Sequence, residues 1–152
     1  MAVTAGIRNG SGITIYFETA DTAVVVADHV TDLSVNASTD TRDTTTKNNG
    51  GYRALLPGLK SLTVNFTAMY AADATNGYDE LMADFLSGSK QDVTVQSVDW
   101  SDGTPTPHTG DKRIVFEAYI TSLELSAGVE DNATYTCTME CVSDITYEDI
   151  PA

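Results

Sequence analysis

Residues 61–69 read SLTVNFTAM, and apolar and polar side chains alternate from Leu62 to Ala68. Successive side chains of a β-strand point to opposite faces, so a period of two places one set on a core and the other on the second face of a sheet. The stretch therefore predicts a half-buried strand. Its apolar set is Leu62, Val64, Phe66 and Ala68, and its polar set is Thr63, Asn65 and Thr67.

The same period of two recurs along most of the chain, and Thr is frequent in the polar sets. β-Branched side chains such as Thr favour extended backbone, so these stretches are also predicted as strands. Leu123 and Leu125 extend or follow the strand that contains Ile120. The other apolar sets are Ile13, Ile15 and Phe17; Leu33, Val35 and Ala37; Val93 and Val95; Ile114, Phe116, Ala118 and Ile120; and Tyr135, Cys137, Met139 and Cys141.

One segment has helical spacing instead: residues 76–89, NGYDELMADFLSGS. Asp79 and Glu80 fall where the positive end of a helix dipole favours acidic groups, and Gly88 is a typical helix stop. The segment predicts one α-helix at about residues 77–87 that lies over a sheet and seals one end or side of the core. Its apolar stripe is Tyr78, Leu81, Met82, Phe85 and Leu86.

Together these elements predict a mostly β fold: an antiparallel β-sandwich or partly closed barrel with one α-helix and a long inter-strand loop. No linker or change of composition divides the chain, so residues 1–152 are predicted to form a single domain. The N-terminal arm, about residues 1–11, and the C-terminal arm, about residues 144–152, are candidates for segments that become ordered only in an assembly.

The chain is acidic, with a formal net charge of −14, and such a chain repels the phosphates of nucleic acid. Hydrophobic residues make up 41%, which is enough for a core and argues against global disorder. The longest apolar run, AVVVA, is too short to span a bilayer, and the N-terminus lacks an apolar core of signal-peptide length. We therefore expect no membrane partner.

Residue patterns typical of enzymes and metal sites are weak in this sequence. GLKS around Lys60 lacks the glycine spacing of a phosphate-binding loop and precedes a strand rather than a helix. His29 lies near two Asp residues without a second ligand-bearing motif, and His108 has no positioned partner. Cys137 and Cys141 would lie about 13 Å apart on one strand, too far for a disulfide, as expected for reduced thiols in the cytoplasm. We predict no enzymatic activity, no cofactor and no metal.

Aromatic side chains leave one alternative of another class open, a non-catalytic carbohydrate-binding β-sandwich module. Such a module needs exposed aromatic rings gathered on one surface. Trp100 is predicted to anchor a loop at the rim of the fold. A binding platform would form only if the fold brought together Trp100, Tyr16, Tyr119 and Tyr147.

The stretch before the opening strand carries a family resemblance. Residues 43–66, DTTTKNNGGYRALLPGLKSLTVNF, contain a T-x-K-x-x-G loop followed by an L-x-G-L-K-S strand, as in the siphophage-type major tail tube proteins. Two further blocks resemble the next blocks of that family in the same order. They are the helix with its following strand, and then FEAYITSLELSAGVEDNATYTCTMECVSDI. The resemblance covers roughly residues 10–145. The family's glycine after the last strand is replaced here by Ser143 or Asp144.

The resemblance implies a virion structural protein, the major tail tube subunit, assembled in the host cytoplasm and located in the tail. Six copies would form a ring, and stacked rings would form a hollow tube through which phage DNA passes during ejection without specific binding. Tape-measure, tail terminator and baseplate proteins would be its partners. Another ring of the same architecture, such as a tail terminator or the tube of a contractile injection machine, is the nearer alternative.

The resemblance also implies that the loop after the second strand contacts a neighbouring ring. Residues 39–52 bury too little apolar surface to become ordered in a free subunit, so we expect docking to order them, with charged pairs across the contact. The inter-ring loop comprises Arg42, Asp43, Thr44, Thr45, Thr46, Lys47, Asn48, Asn49, Gly50, Gly51, Tyr52 and Arg53, of which Arg42, Asp43, Lys47 and Arg53 would form the pairs.

Unpaired sheet edges of neighbouring subunits could join into one continuous barrel around the lumen. The strands near residues 62–69 and 114–125 are our candidates for this lumen-lining sheet. Their second face would then meet the DNA, and a wall of hydroxyls and carboxylates would not grip phosphates. The candidate lumen-facing residues are Thr63, Asn65, Thr67, Glu117 and Glu124.

Overall fold

The computed structural model describes residues 10–18, 24–26, 29–72, 77–100 and 105–151. These residues form a short 3₁₀ helix, Gly10–Gly12, one α-helix, α1, Tyr78–Ser87, and nine strands. The strands are β1 Ile13–Glu18, β2 Val24–Val26, β3 Val30–Asp43, β4 Leu55–Met69, β5 Gln91–Asp99, β6 Thr106–Pro107, β7 Lys112–Ser126, β8 Thr134–Cys141 and β9 Thr146–Asp149.

The strands pair antiparallel in the order β2-β1-β5-β7-β8-β4-β3, while β6 pairs with β5 and β9 pairs with β7. The ring of Phe17 on β1 lies 5.9 Å from that of Phe66 on β4, although three strands separate β1 from β4 in this order. The sheet therefore curls over one core and stays open between β2 and β3. This arrangement confirms the predicted mostly β, antiparallel, partly closed fold with one helix.

The core is made by the alternating apolar sets of the central strands, as their period of two predicts. Phe66, Tyr135 and Met139 are among the fully buried side chains. The predicted sets of β4 and β5 are buried, as are most of those of β7 and β8. The buried core residues are Ile15, Phe17, Leu62, Val64, Phe66, Ala68, Leu81, Val93, Val95, Phe116, Ala118, Ile120, Tyr135, Cys137 and Met139.

Two predicted strands differ from a simple two-faced pattern. On β1, the polar-set residues Thr14 and Tyr16 are buried along with Ile15, whereas Ile13 is exposed. On β3, Leu33 packs against the core, but Val35 and Ala37 are exposed. β3 is the last strand of the sheet, so only its first part has the curled body to pack against. The expectation that Ile13, Val35 and Ala37 are core residues is wrong.

A register shift explains how β7 keeps one face on the core over 15 residues. Between Ile120 and Ser122 the pairing with β8 shifts, as at a β-bulge. An extra residue exchanges the two faces, so the odd-numbered Leu123 packs against the core after the even-numbered Ile120. Leu125 lies further along the same strand and is exposed.

The helix α1 agrees with the predicted span, but only part of its apolar stripe is buried. Leu81 is in the core, and the Tyr78 ring lies 5.7 Å from the Tyr135 ring. The helix contacts β7 and ends at Gly88, whose φ of 69° is left-handed. Phe85 and Leu86, at the C-terminal end of the stripe, remain exposed.

The end of the chain is tied to the sheet in this structure of a single copy. β9 pairs with the first residues of β7, and the Ile150 N–H donates to the Asp111 carbonyl at 2.7 Å. Ile150 itself is buried. Residues 146–149 of the predicted C-terminal arm thus have a strand partner within a single copy. Most of the predicted N-terminal arm, residues 1–9, lies outside the described residues.

Candidate assembly surfaces

The most prominent surface is a hairpin that extends beyond the body of the sheet, residues 39–60, called the arm below. β8 pairs with β4 only from Thr63 onward, whereas β3 and β4 stay paired from Thr39 with Lys60 out to Asp43 with Leu55. Arm residues are exposed except for the half-buried Asn49, Ala54 and Gly58. The arm thus does not pack on its own subunit.

The arm corrects the expectation that residues 39–52 are unordered in a free subunit. A hairpin satisfies its backbone groups by pairing its own two strands, so it can form without burying much apolar surface. Only residues 44–54 connect the strands. Gly58 permits the close approach of the two chains, since a Cβ there would lie 3.0 Å from the Asp40 carbonyl oxygen.

The tip of the arm is held by contacts around the Asp43 carboxylate. It accepts hydrogen bonds from the Thr45 amide at 2.9 Å, from the Thr45 hydroxyl at 2.5 Å and from the Arg53 Nε at 3.2 Å. The Thr44 N–H also donates to the Ala54 carbonyl at 2.9 Å. Asp43 and Arg53 therefore pair within one arm. Both charges are also among those expected to pair across the ring contact, and in the single copy the turn already joins them.

Acid is expected to release the contact made by Asp43. Hydrogen bonds from Thr45, and then from Arg53, hold the pKa of Asp43 below its ordinary value of 3.8. A carboxylate with a lowered pKa stabilises the folded tip above its unfolded pKa, and this contribution is lost as the pH falls through the lower folded pKa. The chemical shift of the Thr45 amide in an NMR titration should therefore change with a midpoint below 3.8. The Asp43→Asn variant should lack this transition, and its persistence there would contradict the assignment.

Large apolar side chains are exposed on the arm as well. Tyr52 is 82% exposed and Leu59 is 77% exposed, and Leu55 and Leu56 are exposed beside them. Isolated exposed apolar residues are common, but a group of four on one projecting hairpin is typical of a protein–protein contact.

A second surface, called the polar face below, lies on the side of β3, β4, β8 and β7 that points away from the core. Paired residues form rows across these strands, such as Asp32, Thr67, Thr136 and Glu124. Hydrogen bonds join side chains within a row, and the Thr138 hydroxyl donates to Oδ1 of its paired residue Asn65 at 2.7 Å. The face comprises Asp32, Ser34, Asn36, Thr63, Asn65, Thr67, Tyr119, Ser122, Glu124, Thr136, Thr138 and Glu140.

The polar face brings together four of the five candidate lumen-facing residues: Thr63, Asn65, Thr67 and Glu124. Glu117 lies on the same side of β7, two residues before Tyr119, but it pairs with Asp92 of β5 rather than with β8, and its Oε2 is 3.1 Å from Lys90 Nζ. Sequence reasoning missed Thr136, Thr138 and Glu140 as members of this face. Their alternation with the buried set of β8 was visible, but nothing local shows that β8 lies beside β4.

The edges of the sheet form a third surface. β3 is 14 residues long and pairs on one side only, with β4, within the described part of the chain. The other end of the path is β2, with three residues. Unpaired strand edges are templates for pairing with another chain.

One of the four aromatic residues considered for a carbohydrate platform does not have the exposed ring that such a platform needs. The Tyr16 side chain is buried, and its hydroxyl lies 3.4 Å from the Pro105 carbonyl. Trp100 donates its indole N–H to the Ser11 carbonyl at 2.8 Å, which fits its predicted role as a loop anchor. Among the described residues, ring–ring contacts join Phe17, Phe66, Tyr70, Tyr78 and Tyr135 instead.

The remaining candidates show no assembled chemistry in the residues that the structure describes. No three His, Cys, Asp or Glu side chains converge there to hold a metal ion, and no helix there is long and apolar enough to cross a membrane. Both cysteines are free thiols, and burial raises the pKa of Cys137 to about 12. A thiol with that pKa is unreactive near neutral pH. Lys60 lies on β4, within the arm.

Comparison with solved structures places this fold beside tail tubes. The tail of an empty gene transfer agent particle, computed with helical refinement and C6 symmetry, aligns with a TM-score of 0.76 at 17% identity, over 93% of this chain and 99% of that one. The SPP1 tail tube aligns with a TM-score of 0.70 at 14% identity, over 95% and 80%. The sheath–tube complex of an extracellular contractile injection system, PVC, aligns with a TM-score of 0.64 at 15% identity, over 97% and 95%.

Identities this low show the shared fold alone, and no curated protein matches the chain. The sequence itself matches the family described as phage tail tube protein over residues 8–147, which is nearly its whole length. The match spans the arm, the polar face and both edges of the sheet. The resemblance found in the sequence is thus confirmed: the chain belongs to the phage tail tube protein family and is a structural subunit of the virion tail.

Proposed function

We propose that this protein is the major tail tube subunit, that six copies close into a ring, and that stacked rings form a hollow tube that conducts phage DNA during ejection. Its role is structural and non-enzymatic. The observation that carries the proposal is the combination of open sheet edges and an unsupported arm on one small domain. Each surface is incomplete in a single copy, and each is suited to a further copy.

Ring closure would use the sheet edges. A head-to-tail contact joins unlike surfaces, and it closes into a ring when the rotation between copies divides a full turn. The long edge of β3 offers its backbone N–H and C=O groups to the opposite edge of a neighbour. Joining edges in this way removes the association hazard of β3 and turns six open sheets into one barrel.

The bore would then be lined by the polar face. This face carries hydroxyls, amides and the carboxylates of Asp32, Glu124 and Glu140, without Lys or Arg. Lys and Arg would bind phosphates by releasing counterions and would slow the DNA. At a Debye length of about 8 Å in physiological salt, wall carboxylates repel DNA only at close approach. Such a wall would let DNA slide without specific binding.

Stacking would use the arm, with residues 42–53 at its tip, together with Leu59 and Lys60, making the contact between rings. The exposed Tyr52 and Leu59 supply apolar surface for that contact. The arm is already a paired hairpin, so docking orders fewer residues than docking of an unstructured loop would. Six such contacts in each ring act together, so a weak single contact gives a stable tube.

The two ends of such a tube would present the same surfaces to other tail proteins, and these are the proposed sites for tape-measure, tail terminator and baseplate partners. A terminator ring of the same fold is the second candidate function for this chain. Its support is the similarity to a PVC sheath/tube terminator, with a TM-score of 0.65 at 14% identity over 97% of this chain.

Electron microscopy of the purified protein over a range of concentrations tests the proposal. We expect hollow rods with six-fold symmetry to appear as the concentration rises. Single rings that never stack would favour the terminator function instead. A protein that remains monomeric at every concentration would contradict both.

A further inference from the structure

We propose that the arm of one copy binds the turn between β7 and β8, residues 127–133, at the opposite end of a second copy. This β7–β8 turn receives the arm through opposite charge and apolar contact. The inference rests on the proposed stacking of rings and adds the surface that each arm would meet.

The pairing register places the arm and the β7–β8 turn at opposite ends of the molecule. Met69, the last residue of β4, pairs with Thr134 of β8, which pairs with Ser126 of β7. The Tyr70 N–H donates to the Ala133 carbonyl at 2.9 Å, which holds the turn at this end. Leu55 begins β4 at the other end, about 46 Å away at a rise of roughly 3.3 Å per residue.

A repeating stack must join unlike ends of its subunits. Head-to-tail contacts that do not close on themselves continue along an axis, and each contact uses one surface from each end. The arm is the projecting surface at one end. The β7–β8 turn is the loop that closes the opposite end of β7 and β8, so it lies where an arm arriving from the next copy can reach it.

The charges of the two surfaces are complementary. The arm holds four of the eight Lys and Arg residues of the chain and two of its 22 acidic residues, so its net charge is +2 in a protein of −14. In contrast, no Lys or Arg follows Arg113 in the sequence, and the β7–β8 turn carries Glu130 and Asp131. Opposite charges steer association and fix its orientation. Lys47 and Lys60 have no ion pair among the described residues and can serve this contact.

The turn also offers an apolar contact on a defined backbone. Val129 is 95% exposed, with Leu125 and Tyr70 partly exposed near the same end. Glu130 has a left-handed φ of 68°, and a Cβ on Gly128 would lie 3.3 Å from the Asp131 carboxylate, so the turn is tightly folded. A surface that is formed before binding loses less conformational entropy on binding. Val129 would meet the exposed leucines of the arm.

Charge reversal with rescue tests this contact in the full-length chain. Lys47→Glu with Lys60→Glu on the arm, or Glu130→Lys with Asp131→Lys on the turn, should each raise the concentration needed for tube formation by about tenfold or more, in line with charge-pair effects at interfaces. The variant with all four changes should return to within roughly threefold of the unmodified protein, since opposite charges meet again.

The direction in which the turn variant changes the concentration needed for tube formation distinguishes this contact from a general effect of net charge. Reversing two acidic residues lowers the net negative charge, which by itself favours association. A matched control, Asp92→Lys with Asp144→Lys, makes the same change in net charge on other elements. Equal losses in the control and the turn variant, or failure of the four-fold variant to recover, would overturn the proposed contact.

A cysteine pair gives an independent readout. Leu59→Cys with Val129→Cys should form disulfides between copies in oxidised tubes and a ladder of linked chains, whereas Leu59→Cys with Leu86→Cys should not. Absence of the ladder in well-formed tubes would overturn the docking site but leave the tube function intact. If the unmodified protein forms no tubes, the proposed function itself fails.

Discussion

Replacing residues 44–54 with an Asn-Gly turn is expected to abolish tube formation while leaving the subunit folded. Asp43 and Leu55 are the last pair of the β3–β4 ladder, so a two-residue turn can close the hairpin there. The removed residues contribute nothing to the core. We therefore expect the melting temperature of the free subunit to change by only a few degrees, while electron microscopy and sedimentation show no rods.

The matched control keeps the length and backbone of the arm. Thr44→Ser with Thr46→Ser removes one methyl group from each of two exposed tip residues and keeps their hydroxyls, the large apolar side chains and the charges of the arm. This variant should form rods at nearly the same concentration as the unmodified protein. Normal rods from the shortened chain would mean that rings hold together through other surfaces, and the assigned role of residues 42–53 would be wrong.

The sequence carries most of the information on which residues are buried. Leu62, Val64 and Phe66 could be assigned to the core because burial of one face imposes a period of two, and this signal is local. The helix could be predicted for the same reason, from a period near 3.6. Leu123 could not be assigned to the core from this local signal. Its position on the core side depends on a β-bulge that is visible only in the pairing of β7 with β8.

The candidate surfaces were less predictable because they depend on which strands are neighbours. Thr63, Asn65 and Thr67 could be assigned to a non-core face from β4 alone, but their partners Thr136 and Thr138 could not. The polar composition of residues 39–52 predicts a lack of order only if apolar burial is the main source of order. A hairpin also gains from cross-strand backbone hydrogen bonds, which polar Thr-rich sequences form as well as apolar ones.

Phe66→Ala is expected to produce a large loss of stability. Phe66 is 1% exposed, and its ring contacts those of Phe17, at 5.9 Å, and Tyr135, at 6.1 Å. Removing a buried Phe side chain costs about 3–5 kcal/mol of the free energy of unfolding, through lost burial and the cavity left behind. A domain of this size is stable by about 5–15 kcal/mol. We therefore expect the melting temperature to fall by roughly 6–20 °C in calorimetry.

Phe85→Ala is the matched control, because it removes the same side chain from a site that is 42% exposed on α1. Its cost should stay below about 1 kcal/mol, since much of the ring is already in water and Ala favours the helix. Both measurements need protein below the concentration at which tubes form, because assembly stabilises the folded subunit by mass action and would mask the difference. Equal destabilisation by the two substitutions would show that the β1, β4 and β8 rings do not form the centre of the core, and the curled sheet would then be wrong.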